Sequence, residues 1–290
     1  MLLREEPGGT VLAIAQPAHA VLSGRLAEAW ADDLPRDLVI ATGRHDDVWA
    51  NWDTAPRLNP RTGRPQTFLE LDASDRVQVW SQAPAVAASL GPEAELWVLR
   101  HAERLHASYD EAAVKAMTAA FSARIAELVE ELRAAHAPRF DDAELARGTS
   151  LLTLFDTLSL VLCFGVTEPR AAGVLMLSPA SDGGGVAVAP WPFAGARLDT
   201  FVVARRLPGR VADQAALDAA WAAAATFAVP VALVRSISSG GAFDSGRGAL
   251  ARRSAADNLQ SHATRLMPPP VITAWSGLPT PTSSNSVLVG

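Results

Sequence analysis

Residues Asp37–Asp53 read DLVIATGRHDDVWANWD. Leu38, Ala41, His45, Val48, Trp49 and Trp52 recur at helical spacing along this stretch. The spacing predicts one amphipathic helix, and with it a mainly α fold. It also poses a problem. An imidazole, His45, lies on the stripe that should face the core, and Asp46, Asp47 and Asp53 crowd around it. Aspartate inside a helix is ordinary on a solvated face, whereas a histidine on the apolar face needs a buried hydrogen-bond partner or a metal.

The same logic extends in both directions. Upstream, PAHAVLSGRLAEAWADD starts with Pro17, which suits a first helical turn because its missing N–H needs no partner there. His19, Leu22, Leu26 and Trp30 then share a face, so a second histidine lies on an apolar stripe. Downstream, TAPRLNPRTGRPQTFLEL reads as a long loop, and PEAELWVLRHAERLHASYD as a third helix. A fourth, long helix carries Val114, Met117, Phe121, Ile125, Leu128 and Leu132 on one side, and a fifth runs through DDAELARGTSLLTLFDTLSLVLCF. MLLREE and TVLAIAQ read as short strands, and GGGVAVAPWPFAGARLDTFVVARRLPGR as a hairpin or small sheet near 183–207. ADQAALDAAWAAAATFA returns to helix, and from Ser236 to Gly290 no period is sustained. The expected organisation is therefore a helical domain over 1–235 with a short β element, followed by a low-complexity tail over 236–290.

Charge and composition narrow the partners. A net charge of −6 argues against nucleic acid or anionic lipid as a general partner. The single Cys163 forbids an internal disulfide and fits a reducing cytoplasm. The most apolar run, LLTLFDTLSLVLCFGV, is too short to span a bilayer and has Asp156 in its middle. A cytoplasmic chain acting on a small molecule is expected, with self-association left open.

Asp156 sits among Leu152, Leu154, Phe155, Leu158 and Leu160. An unpaired buried carboxylate costs several kcal/mol, so it needs an arginine, strong donors or a metal. His19, His45, Asp46 and Asp156 together supply two imidazoles and two carboxylates, a donor set suited to Mn, Fe or Zn, as one ion or two. His101 shares a face with Trp97, Val98 and Leu105 and could add a further ligand. His106 is five residues on, roughly 140° around a regular helix, and is expected to be solvated. Arg57, Asn59, Arg61 and Arg64 lie in the loop just past the HD pair. They read either as a solvated turn or as a clamp on a substrate anion. Gly183–Val188 lacks the lysine of a phosphate loop, and Cys163 reads as a small core residue.

The order H…HD…D on successive helices resembles the HD-domain superfamily of metal-dependent phosphohydrolases. The longer set QPAHAVLSGRLAEAW, HDDVWANWDTAPRLNPRTGRPQTFLEL, LFDTLSLVLCF and PWPF resembles an uncharacterised bacterial family, domain of unknown function 3891, up to about residue 235. The first resemblance implies an HD-like helical bundle and metal-dependent hydrolysis of a small phosphorylated molecule. In that reading His19, His45, Asp46 and Asp156, with His101, hold the metal, and Asp47 orients a water. It also implies two alternatives: a di-iron oxygenase, or a non-catalytic regulatory or binding protein on the same scaffold.

Overall fold

The computed structural model describes residues 1–137 and 139–236. The expected tail therefore lies, except for Ser236, outside the described residues. The chain opens with strands β1 (Leu2–Glu6) and β2 (Thr10–Ile14), then helices α1 (Gln16–Glu28) and α2 (Arg36–Arg44). A 3₁₀ turn over Asp47–Trp49 leads into α3 (Ala50–Thr54), and the short strands β3 (Leu58–Asn59) and β4 (Arg64–Pro65) pair with each other. Helices α4 (Ala73–Trp80), α5 (Ala83–Ala88), α6 (Pro92–His106), α7 (Ala112–His136) and α8 (Asp142–Phe164) follow. The chain then forms β5 (Arg170–Ala172), β6 (Leu175–Pro179), β7 (Val186–Ala189), β8 (Arg197–Pro208), α9 (Gln214–Ala223) and β9 (Thr226–Arg235).

The fold is α/β and not mainly α. About 51% of it is helical, but seven strands form one curled mixed sheet, a half-barrel, in the order β1-β2-β8-β9-β7-β6-β5. The expected β element near 183–207 is only part of that sheet. The strands at the start of the chain join it through β2 and β8, and Thr10 sits opposite Pro208 across a large sequence separation. Every pairing is antiparallel except β7 with β9.

The β2 run, TVLAI, is apolar on both sides because both faces are covered. Val11 and Ala13 cluster with Met1 and Leu207 beneath Trp221 of α9, while Leu12 and Ile14 alternate to the opposite face and are equally buried. The expected helix over ADQAALDAAWAAAATFA stops at Ala223, and the next residue but two begins β9. Pro230 is tolerated in that interior strand because β7 pairs only with Leu233–Arg235, so beside Pro230 one edge of β9 makes no ladder.

Helices α1, α2, α6 and α8 pack on one another over this sheet, and each contributes to the site below. α1 and α2 meet backbone to backbone: a Cβ added at Gly24 would stand 2.7 Å from the Gly43 Cα. α8 and α6 meet where Gly148 leaves room for the Trp97 ring, which a Cβ would approach to 2.5 Å. With its polar first turns, α8 is longer than the apolar run within it, and by length and composition it could cross a bilayer. Most of its apolar window is instead buried inside the fold.

Candidate metal centre

The helix expected over Leu38–Trp52 does not continue through the HD pair. α2 ends at Arg44, His45 caps it, and Asp46 turns out of helical conformation at φ −111°, ψ 17° before the 3₁₀ turn. In a regular helix adjacent side chains diverge by about 100°. The break lets His45 and Asp46 face one point.

At that point α1 supplies His19, α6 supplies His101 and α8 supplies Asp156. All five residues are buried. His19 Nε2 is 2.7 Å from Asp46 Oδ2, and His45 Nε2 is 3.8 Å from the same oxygen. Asp156 is the hub. Its Oδ1 lies 3.4 Å from His45 Nε2 and 4.0 Å from His19 Nδ1, and its Oδ2 lies 3.8 Å from His101 Nε2. The His45 ring stands edge-on to both other imidazoles, with centroids 5.2 Å and 4.9 Å away.

The surroundings orient these groups for ligation. The Thr42 carbonyl can only accept, so His45 Nδ1 donates to it at 2.8 Å and Nε2 is turned to the two carboxylates. That Nε2 is buried with no hydrogen-bond partner among the described residues. Ser159 Oγ donates to the Asp156 carbonyl, receives a bond from Ser23 Oγ, and stands 2.9 Å from His19 Nδ1. His19 is thereby held with Nε2 turned to Asp46. Fixing the far nitrogen of a ligand histidine in this way is the usual outer-shell arrangement of metal sites.

Burial opposes charge on His45, Asp46 and Asp156, yet these three retain it. Burial disfavours a proton on His45, but the carboxylates of Asp46 and Asp156 outweigh it and raise its pKa to about 9. Burial likewise opposes ionisation of Asp156 and Asp46, and the imidazoles, His45 foremost, hold both below the usual carboxylate range. His101 goes the other way. Burial, with His45 adding to it against the pull of Asp156, lowers its pKa to about 4, so it is a neutral imidazole near pH 7. One ligand atom each from His19, His45 and Asp156 lie within 4.8 Å of one another. Ligands about 2.0–2.2 Å from a shared ion would stand about 3–4 Å apart, so a small contraction closes this trio on a cation. The residues present therefore fit a divalent ion.

The other expected site residues are elsewhere. The Asp47 carboxylate is taken by Arg44. Arg57 pairs with Asp75 at 2.7 Å and lies over the Trp52 ring, and Arg64 pairs with Glu5 and bonds the Gly209 carbonyl. The Asn59 side chain bridges Glu70 and the Arg61 backbone, and Arg61 itself is exposed. The loop is tied to its neighbours by its own polar residues and is not gathered at the centre. Asp53 holds the Met1 amine at 2.8 Å and the Gln16 N–H at 2.6 Å, which anchors the start of α1. Burial raises Cys163 to about 12, so it is an inert core thiol.

Two residues were not legible as part of this region. His106 is buried, not solvated. Its Nδ1 donates to the Ala102 carbonyl, its ring packs on Trp80, and its Nε2 has no hydrogen-bond partner among the described residues. Arg104 is half-buried one turn beyond His101. Neither bulges from the helical pattern, because α6 is buried on more than one side and its phase alone does not separate wet from dry. A cavity of about 520 Å³ lies among α1, α3, β8 and α9, but none of the five clustered residues lines it.

A buried centre of three histidines and two aspartates, held on four helices above a curled sheet, defines an α/β protein with a candidate divalent-metal site. The chain belongs to the family of proteins of unknown function DUF3891, whose model matches residues 1–209. No curated protein and no solved structure matches it.

Proposed function

We propose that this chain is a metal-dependent hydrolase of a small phosphorylated molecule, with His19, His45, Asp46, His101 and Asp156 as its metal ligands. One observation carries the metal reading: one ligand atom each from buried His19, His45 and Asp156 lie within 4.8 Å of one another, with His45 Nε2 3.4 Å from Asp156 Oδ1 and its other ring nitrogen fixed by Thr42. A divalent ion shared by these atoms would displace the proton that the two carboxylates favour on His45 and would take over the balance of their charge. The choice of phosphoester hydrolysis rests on the order H…HD…D, which resembles HD-type phosphohydrolases in its ligands though not in the surrounding fold.

The donor set of nitrogen and carboxylate oxygen favours Mn, Fe or Zn. A bound ion of this kind lowers the pKa of water towards about 7 and polarises a phosphoryl oxygen. The chain's own residues do the rest. Asp156 presents one oxygen to His45 and His19 and the other to His101, the arrangement a carboxylate uses to serve two ions. Asp46 Oδ2 faces His19 Nε2 at 2.7 Å, and Ser159, itself bonded by Ser23, holds that ring at Nδ1.

The test is metal analysis of protein purified without chelator, followed by turnover of p-nitrophenyl phosphate. One or two ions per chain, and an activity removed by chelator and restored by Mn or Zn, is the expected result. Protein that takes up no ion overturns the reading. His101 keeps the di-iron alternative open, and an anaerobic assay separates the two, since hydrolysis proceeds without oxygen.

A further inference from the structure

We propose that Arg104 is the residue that holds the anionic group of the substrate, a phosphate-type oxyanion, against the metal centre. This rests on the metal reading above. Arg104 follows His101 by three residues on α6, so both project from neighbouring positions on one helix face. His101 reaches Asp156 Oδ2 at 3.8 Å, which sets the α6 face carrying Arg104 beside the centre. The guanidinium is half-buried, yet it makes no hydrogen bond and no ion pair with any described residue. Burial works against its charge, and the field of Asp156 partly restores it; His101 in turn feels Arg104.

The other arginines of the region are engaged. Arg100 bonds Thr149, Arg76 lies over the Tyr109 ring, and Arg57 and Arg64 are paired with carboxylates. A fixed fork of N–H donors with no partner, close to a centre that gathers cations, is what recognition of an oxyanion requires. With the two carboxylates balanced by bound ions, Arg104 would hold a phosphate dianion beside the centre. Without the ions, the charges of Asp46 and Asp156 weaken that contact without removing the guanidinium that makes it. A cation in the last turn of a helix is also favourable for the helix dipole. That role alone would change stability and leave anion binding untouched, so the two are separable.

The experiment titrates inorganic phosphate into Mn-loaded protein by calorimetry, with acetate as a comparison anion. Arg104→Gln should weaken phosphate binding by about tenfold or more, the loss of a charge-assisted bidentate contact, with metal content and melting temperature retained. Arg104→Lys, which keeps the charge but loses the fork, should fall between. Equal phosphate affinity in wild type and Arg104→Gln overturns the proposal, as does wild-type protein that binds no phosphate. Should the glutamine variant fail to fold, the lysine variant decides alone, and unchanged affinity there overturns the proposal. If wild-type protein takes up no metal, the hydrolase reading fails by itself. Phosphate held by that metal-free protein and lost on Arg104→Gln still supports the clamp, and phosphate not held overturns it.

Discussion

The four ionisable residues of the HDDVWANWD stretch have three separate tasks: His45 and Asp46 face the centre, Asp47 holds Arg44, and Asp53 anchors the Met1 amine and the start of α1. Asp156 is the residue on which most depends, because three imidazoles converge on its two oxygens. Asp156→Asn should abolish metal uptake, read by metal analysis. In chelated protein it should also cost about 3 kcal/mol in denaturant unfolding, because a buried His45 loses one of its two counter-charges. A variant with full metal content would mean that Asp156 is no ligand. His106 gives a pH signature of its own. Burial, with Arg76 of α4 adding to it against the weak pull of Asp46, lowers its pKa from 6.5 to about 4. Tyr109 is the remaining titratable group against its ring. Between those two values the unfolded chain binds a proton that the folded chain refuses, so stability from this group is complete above about 6.5 and falls as the pH drops towards 4. The loss is bounded by roughly 3 kcal/mol from the size of the shift. His106→Gln should flatten the stability profile in that window relative to wild type, measured by urea unfolding from pH 4 to 7, and an unchanged slope would show that His106 does not titrate there.

Between α1 and α2 the geometry of the centre depends on two glycines. A Cβ at Gly24 would meet the Gly43 Cα at 2.7 Å, and backbone cannot move aside without separating the helices. A Cβ at Gly43 would meet the Gly24 Cα at 3.5 Å, an ordinary contact. Gly24→Ala should therefore destabilise by about 1–3 kcal/mol through overpacking and lower metal affinity, since His19 and His45 ride on the separated helices. Gly43→Ala should be neutral or gain up to about 1 kcal/mol from helix propensity. Thermal melts with and without metal check the pair, and the reverse order would refute the packing argument. At this scale the sequence was legible where one face is wet and one dry. The stripe of Val114, Met117, Phe121, Ile125, Leu128 and Leu132 lies along one helix, α7, and all six are buried. His19, His45, His101 and Asp156 stood out because ionisable groups on apolar faces need a reason, and Asp46 because it adjoins His45. What could not be read was the break at His45–Asp46: Gly43 two residues earlier is still helical, and Val48, Trp49 and Trp52 continue the helical phase across the break. Arg104 and His106 were hidden for the opposite reason: on a helix buried around much of its circumference, phase no longer tells inside from outside.

For the whole molecule the decisive relation is between strands far apart in the chain, β2 and β8. Local periodicity found strands near the start and near 183–207, but it carries no signal that Thr10 pairs with Pro208, so two small β features were expected where one sheet exists. The strand that completes it, β9, follows an alanine run that prolongs the helical pattern of α9, and only Val229, Val231 and Leu233, buried and alternating, mark it as a strand. β9 lies in the middle of the sheet, antiparallel to β8 along nine residue pairs and parallel to β7. It is the link through which β5, β6 and β7 join β1, β2 and β8. The family model ends at residue 209, before α9 and β9 begin. A chain cut after Gly209 should thus lose its central strand, split the sheet into two groups and expose the faces covered by Leu217, Val229, Val231 and Leu233. One cut after Ser236, the last described residue, retains every strand pairing. The longer chain should melt cooperatively and bind metal like the full protein, whereas the shorter one should be insoluble or show no cooperative transition by circular dichroism. A cooperative, metal-binding fragment of residues 1–209 would show that β9 is dispensable, and with it that the four-helix layer holds the centre without the sheet beneath it.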